Sequence, residues 1–360
     1  MNKNTAAPNL VLYLYEDSNT PQYRYRIQNP LSACESGSQK WRALAFGRNE
    51  LDELRAQLSS ARLLIVERQT AKNNVIPNLI KEAQRLGIKV VFDLDDLIFD
   101  YHDIGLIKSS TREKSILYWA GYIWGIRRIA KRADGFLTTN DFLAQKIKRT
   151  FKKPVAIIPN SLNAEQISAS EKYLKSQKPH DGFTLGYFSG SPTHTKDFQL
   201  IEPEIIQFLE NHDDAKLKIV GYMEFSPRAK ALLDSGRIEF EPPVDYLKLQ
   251  EKIADVDVNL APLVENDFTN CKSELKFFEA AVVETTTIAS PTFAFKNAIE
   301  DGKTGFLAQP GEWLAKLEYL YSHPAKNHQI ALAAKAYCLK TYHGKTFLAQ
   351  VEKAYDALVK

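Results

Sequence analysis

The chain has 360 residues, 44% of them hydrophobic and 25% charged, with a formal net charge of +3. That is long for one hydrophobic core, so two domains are expected, and the composition is that of an ordinary soluble globular protein. No apolar run reaches 18 residues and the N-terminus lacks a signal-peptide core, so neither a transmembrane helix nor a secretory leader is expected. Cys34, Cys271 and Cys338 are too few and too scattered for a disulfide framework or a metal cluster, which suits a reducing cytoplasm.

Charge divides the chain. Residues 1–160 hold 25 Lys and Arg against 16 Asp and Glu, and residues 161–360 hold 22 against 28. A basic half joined to an acidic half implies different partners for each. In the basic half, Asn9–Tyr15 reads as a strand, and a polar loop carries Arg24 and Arg26 at its far end, where they could hold an anionic or sugar ligand. Trp41–Phe46, Arg62–Glu67 and Lys89–Leu94 are further strands, separated by helices at Glu50–Ser60 and Val75–Leu86. Such alternation predicts a doubly wound parallel sheet.

The fourth strand runs into Asp93, Asp95 and Asp96. Carboxylates at a strand end suit an oxygen-ligated Mg²⁺ or Mn²⁺, a group that orients or deprotonates an acceptor hydroxyl, or a helix N-cap. Thr111–Arg132 reads as a helix rich in aromatics and bases. Residues 127–153 carry nine bases and two acids, Asp134 and Asp141. A basic, aromatic, amphipathic surface suits an anionic membrane face. Nucleic acid is the other candidate, but no helix-turn-helix, zinc or RNA-binding signature accompanies it. Two more strands follow, Gly135–Thr139 and Val155–Ile158. Residues 164–181 are polar without a strand pattern and read as an interdomain connection.

A second sheet begins at Phe183–Phe188, which exits into Ser189, Gly190, Ser191 and Lys196. Small residues after a strand let backbone N–H groups approach a phosphate, and a lysine adds charge. Lys216–Val220, Ile238–Phe240 and Val256–Ala261 are further strands. After a polar loop, Lys272–Val283 is predicted as a helix with Lys272, Lys276, Glu279 and Val283 on one face and Leu275, Phe278 and Val282 on another. The first turn of such a helix favours an anion, and Glu279 one turn on can accept hydrogen bonds from hydroxyls. The alternative is a solvated helix face, with Lys276 and Glu279 as a weak i,i+3 pair. Thr287–Ser290 is a strand, 301–305 a tight turn, and Pro310–Lys360 helical.

These residues resemble the family-4-type glycosyltransferases of bacterial polysaccharide biosynthesis. The resemblance covers most of the chain and is strongest from Gly186 to Gly305. It rests on Tyr187-Phe188-Ser189-Gly190 with Lys196, on Ala254-Asp255 and Pro262 around a strand, on Lys272, Ser273, Lys276, Glu279 and Ala280, on Glu300-Asp301-Gly302-Lys303-Thr304-Gly305, and on Ile158-Pro159-Asn160-Ser161 in the first half. Cys271 stands where the family often has a first glutamate, Ser191 where it often has a basic residue, and Asp95 where a histidine commonly ends the first-domain strand.

The resemblance implies the α/β GT-B architecture, two Rossmann-like doubly wound domains with parallel sheets facing across a cleft. The expected domains are residues 1–164, with a C-terminal helix near 345–360 packing back on them, and 165–344. The implied reaction moves a sugar from a nucleotide diphosphate sugar to a hydroxyl of a glycan or lipid-linked glycan, with retention, without a metal and without a cofactor. Asp95 would orient the acceptor, Lys272 would stabilise the departing diphosphate and Glu279 would hold ribose hydroxyls. Ser189, Gly190, Lys196, Ser273 and Lys276 would bind donor, Thr269 and Asn270 would face its sugar, and Arg24 and Arg26 would bind acceptor. The expected location is cytoplasmic, with peripheral attachment to the inner membrane face through residues 112–153. The rivals are a nucleotide-sugar 2-epimerase and a non-catalytic nucleotide-sugar-binding module.

Overall fold

A computed structural model describes residues 7–71, 73–111, 114–176 and 182–360. The chain forms two compact units. The first runs to Ser161 and takes in Cys271–Ser273 and Tyr342–Lys360. The second comprises Leu162–Asn270 and Glu274–Thr341.

The first unit is built on a parallel sheet in the order β2-β1-β3-β4-β5-β6. Its strands are β1 (Asn9–Tyr15), β2 (Trp41–Gly47), β3 (Ala61–Glu67), β4 (Lys89–Asp93), β5 (Gly135–Thr138) and β6 (Val155–Ile157). Runs such as LVLYL in β1 and LLIV in β3 are apolar at every position because both faces are covered, as in parallel sheets generally. On one face Val11, Tyr13, Leu63, Ile65, Val91 and Leu137 pack against Phe347, Val351, Ala354, Tyr355 and Leu358 of helix Gly344–Leu358. Leu12, Leu14, Leu64 and Val66 alternate with these and point to the other face.

The second unit carries a parallel sheet in the order β12-β11-β10-β7-β8-β9. Its strands are β7 (Phe183–Ser189), β8 (Ala215–Gly221), β9 (Ile238–Glu241), β10 (Val258–Ala261), β11 (Thr286–Ala289) and β12 (Phe306–Leu307). Leu185, Tyr187, Leu217, Ile219, Val258, Leu260 and Ile288 form its core with Phe208, Trp313 and Leu317. Gly221 has φ 122°, and a Cβ there would lie 1.9 Å from the Ser189 carbonyl oxygen, so only glycine lets the end of β8 pass the end of β7.

Three elements differ from expectation. The supposed connection at 164–181 contains helix Ala164–Ser176; residues 177–181 lie outside the described residues. Its inward positions are Gln166 and Ser170, so no apolar stripe betrays it. Gln166 instead donates to Gln250 Oε1 at 2.9 Å, and Gln250 donates to Ser170 Oγ at 3.3 Å. The helix expected over Thr111–Arg132 runs only from Ile116 to Ala130, capped by the Ser115 hydroxyl, which accepts from Tyr118 N, and a separate helix, Ile104–Ser110, precedes it. The helix expected from Lys272 begins at Leu275 and ends at Ala281.

Candidate functional site

In an open parallel sheet, ligands sit beyond the carboxyl ends of the strands where the strand order reverses. In the second unit that point lies between β7 and β10. β7 ends at buried Ser189, whose hydroxyl donates to the Ser191 carbonyl at 3.1 Å. The following loop is pinned by Tyr187, whose hydroxyl donates to the His194 carbonyl at 2.7 Å. His194 Nδ1 lies 2.9 Å from one Asp197 oxygen, and the other accepts Val264 N at 2.9 Å. Leu263 N donates to Ser290 Oγ at 2.9 Å. The exits of β7, β10 and β11 are thereby tied together, and Asp197 is the knot.

Helix Leu275–Ala281 enters this corner with Lys276 and Glu279. Asn259 Nδ2 donates to the Lys276 carbonyl at 3.0 Å, and Gln250 Nε2 to the Glu279 carbonyl at 2.9 Å, so the backbone of both residues is fixed from beneath. Glu279 is buried. The Lys276 ammonium is buried without a hydrogen-bond partner and lies 5.0 Å from the centre of the Tyr187 ring. Burial lowers its pKa, against the opposing pull of Asp197 and Glu279. A buried cation with no hydrogen bond is costly, and the aromatic face returns only part of that cost. An anionic ligand oxygen would supply the missing partner.

The other expected donor residues divide into exposed groups left open to a ligand and groups engaged elsewhere. Lys196 is exposed on the short helix Thr195–Gln199, and Gly190 is exposed, with no protein atom within 4 Å of where a Cβ would lie. The Thr269 hydroxyl donates to the Val264 carbonyl at 2.6 Å and accepts Asn266 N at 3.0 Å, so it closes its own loop rather than facing a sugar. Asn270 Oδ1 accepts Phe293 N at 2.8 Å and caps helix Phe293–Ala298. Lys272 and Ser273 precede the helix and belong to the first unit, so Lys272 does not share a face with Lys276 and Glu279.

The first unit has its own charged cluster. Here the strand order reverses between β1 and β3. Glu67 ends β3 in register with Asp93 at the end of β4. Arg68 lies 3.1 Å from Asp95 and 3.6 Å from Asp96, and Lys272 lies 2.9 Å from Asp96. No helix starts at residues 94–100, so the N-cap reading of these aspartates fails. Burial works against the Arg68 charge, but Asp95 and Asp96 outweigh it and hold its pKa up. Glu67 is pushed up to about 8, first by burial and then by Asp95, against Arg68. Glu67 and Arg68 escape sequence reading because they look like the polar end of a strand. Their signal is position, since β3 borders the reversal.

Arg26 needs correction as an acceptor ligand. It is 2% exposed and grips Asp93 through Nε and Nη2, both at 3.1 Å, while Nη1 donates to the Ile158 carbonyl. Asp93 is nevertheless pushed up to about 6 by burial, which outweighs Arg26. Arg24 stays partly exposed, its guanidinium 4.8 Å from the Tyr25 ring. Among the described residues, no group of three or more His, Cys, Asp and Glu is arranged to hold a metal ion.

Residues 183–323 match the model of the family described as glycosyl transferases group 1. They span every residue of the second-unit corner just described. Solved structures align over almost the whole chain. The Anabaena protein HepE, solved with UDP and glucose, is 13% identical with a TM-score of 0.62, covering 97% of this chain and 100% of its own. A glycosyltransferase from Rickettsia africae is 11% identical with a TM-score of 0.67, covering 99% and 100%. Sucrose-phosphate synthase from Thermosynechococcus elongatus is 14% identical with a TM-score of 0.63, covering 97% and 99%. At these identities the likeness establishes the fold, which is GT-B. No curated protein sequence matches the chain.

Proposed function

We propose that the protein is a GT-B glycosyltransferase that moves a sugar from a nucleotide diphosphate sugar to a hydroxyl of a glycan or lipid-linked glycan. The observation that carries this reading is the buried, unpartnered Lys276 ammonium beside Glu279 at the strand reversal of the glycosyltransferase-like segment. As the bond between the anomeric carbon and the diphosphate oxygen breaks, negative charge grows on that oxygen. Lys276, Lys196 and the Ser189 and Gly190 amides supply positive potential in a partly dry corner, where it acts most strongly. Glu279 accepts hydrogen bonds from ribose hydroxyls. The HepE complex with UDP and glucose on the same fold makes UDP the first nucleotide to try.

The acceptor role falls to Asp95, held by Arg68, with Lys272 neutralising Asp96. Asp95 aligns the attacking hydroxyl and accepts its hydrogen bond. The family resemblance adds two finer expectations, retention of anomeric configuration and no metal requirement. Proton NMR of the product anomer and assay in chelator check them. A lipid-linked acceptor would place the protein peripherally at the inner membrane face.

The test is a thermal-shift screen against nucleotide diphosphate sugars, followed by transfer and hydrolysis assays on any hit. A donor at about 100 times its dissociation constant adds about 2.7 kcal/mol to the folded state, and the melting temperature rises. No rise with any nucleotide sugar or free diphosphate nucleotide would sink the reading. Binding without transfer or hydrolysis would leave a binding module instead.

A further inference from the structure

We propose that the first three turns of helix Ile116–Ala130 dock the protein on an anionic lipid surface. The inward face of this helix buries Trp119, Ile123, Ile126, Ile129 and Ala130. Its outward face is also apolar. Leu117 is 84% exposed, Ile116 60%, Trp124 53% and Tyr118 48%. Leu117, Gly121, Trp124 and Arg128 follow one stripe at helical spacing. A helix bordered only by water carries polar residues on that side. Among the described residues the other large exposed apolar side chains are scattered, whereas three of these are consecutive and Trp124 lies two turns on from Leu117.

The charge around the stripe identifies its occupant. From Lys114 to Lys131 there is no Asp or Glu. Lys114 sits 5.8 Å from the Tyr118 ring centre and Arg128 4.7 Å from that of Trp124, so each cation rides on an aromatic of the stripe. Lys108 on the preceding helix and Lys131 at the C-cap are exposed. Aliphatic and aromatic side chains flanked, among the described residues from Lys114 to Lys131, by cations and no carboxylate match the boundary between acyl chains and anionic headgroups. The basic segment as a whole is less available than its composition suggests. Lys153 caps the carbonyls of Ala130, Lys131 and Ala133, and Arg128 donates to the Ala71 carbonyl and Asn74. Arg112 and Glu113 lie outside the described residues. The lipid contact is therefore the apolar stripe with its few flanking cations, not the full run to residue 153.

The stripe leads inward. Tyr118 stacks on Tyr122 at 6.3 Å, and the Tyr122 phenol lies in the field of Arg68, Asp95 and Asp96. On the glycosyltransferase reading, docking would bring a lipid-anchored acceptor to those carboxylates. The docking itself rests on the first unit alone and needs no donor chemistry.

Flotation with vesicles of phosphatidylglycerol and phosphatidylcholine in equal parts tests it. At low salt the protein floats with these vesicles and not with phosphatidylcholine alone. Leu117→Glu and Trp124→Glu each reduce the bound fraction on the order of tenfold, while keeping the wild-type melting temperature because both sites are exposed. Trp41, Trp119 and Trp313 are buried, so a blue shift of tryptophan emission on adding vesicles reports Trp124 and is lost in Trp124→Phe. No flotation at low salt, or flotation undiminished by Leu117→Glu, overturns the proposal. So does a dimer in light scattering that Leu117→Glu dissociates, which would make the stripe a contact between copies. The donor thermal shift is read separately, so docking and donor binding fail in different assays.

Discussion

Lys276→Met should raise stability and remove donor function together, and that opposition of sign is what identifies a ligand-binding lysine. Methionine keeps the stem and length and deletes the charge. The ammonium is buried, has no hydrogen-bond partner and sits against the Tyr187 ring. Relieving such burial is worth about 1–3 kcal/mol by mutational experience with buried polar groups. In a unit of this size, 1 kcal/mol moves the melting temperature by roughly 2–4 °C, so the ligand-free variant should melt several degrees higher. The gain has a pH signature. Because burial lowers the folded-state pKa, the unfolded chain holds the extra proton between that value and the ordinary lysine value of 10.5. Wild-type stability therefore climbs with pH in that window, and the advantage of the variant shrinks there. With a nucleotide sugar the effect reverses. Losing a charge aimed at the diphosphate costs on the order of 2–4 kcal/mol in the transition state, about 30- to 1000-fold in turnover. The assay is paired thermal melts with and without UDP, then steady-state transfer. A variant that melts lower, or keeps the full UDP shift, shows the lysine to be a structural element and refutes the reasoning.

Two further outcomes follow from the first unit. Glu67 is pushed from 4.5 up to about 8, so between those values the folded state holds a proton that the unfolded chain has lost, and stability falls as pH rises. The shift sets a ceiling of about 5 kcal/mol, and Glu67→Gln should remove most of that slope. Urea unfolding near pH 5 and near pH 9 checks it, and an unchanged slope in the variant means Glu67 titrates normally. Arg26→Met strands Asp93 in the core and should cost about 3–5 kcal/mol above neutrality. The loss should ease as pH falls and Asp93, already near 6, takes up its proton; a cost independent of pH would show that packing, not charge, is what Arg26 provides.

The strands were legible because a parallel sheet buried on both faces writes itself as unbroken apolar runs, as in LVLYL and LLIV. What escaped was every place where a polar residue does a core residue's work. Helix Ala164–Ser176 was invisible because Gln166 and Ser170 hold its inner stripe and find partners on a helix some 80 residues away. The start of helix Leu275–Ala281 was misplaced because Lys272 continues its periodicity. Asn266 locally caps a separate short turn through Phe268 N and Thr269 N, and only a tertiary contact shows that Asn270 is committed to Phe293 N at the start of helix Phe293–Ala298. Arg26 looked like a loop arginine because nothing local announces that Asp93, 67 residues on, will need it.

Lys272 and Lys276 make the sharpest case. In sequence they are one signal, two cations a helical turn apart ahead of a glutamate, and either could serve a diphosphate. The structure separates them by their partners. Lys272 is neutralised by Asp96, 176 positions earlier, and its carbonyl is held by Asn140. A cation already paired must give up that pair before it can hold a ligand, and the exchange returns little net free energy. Lys276 has no pair to give up, so a ligand anion gains the whole interaction. The cost of leaving an amine buried and unmatched is borne permanently by the fold, and binding energy that is already committed in this way is what preorganised electrostatic sites draw on. If one lysine of the two carries the diphosphate charge, the physical argument assigns it to Lys276.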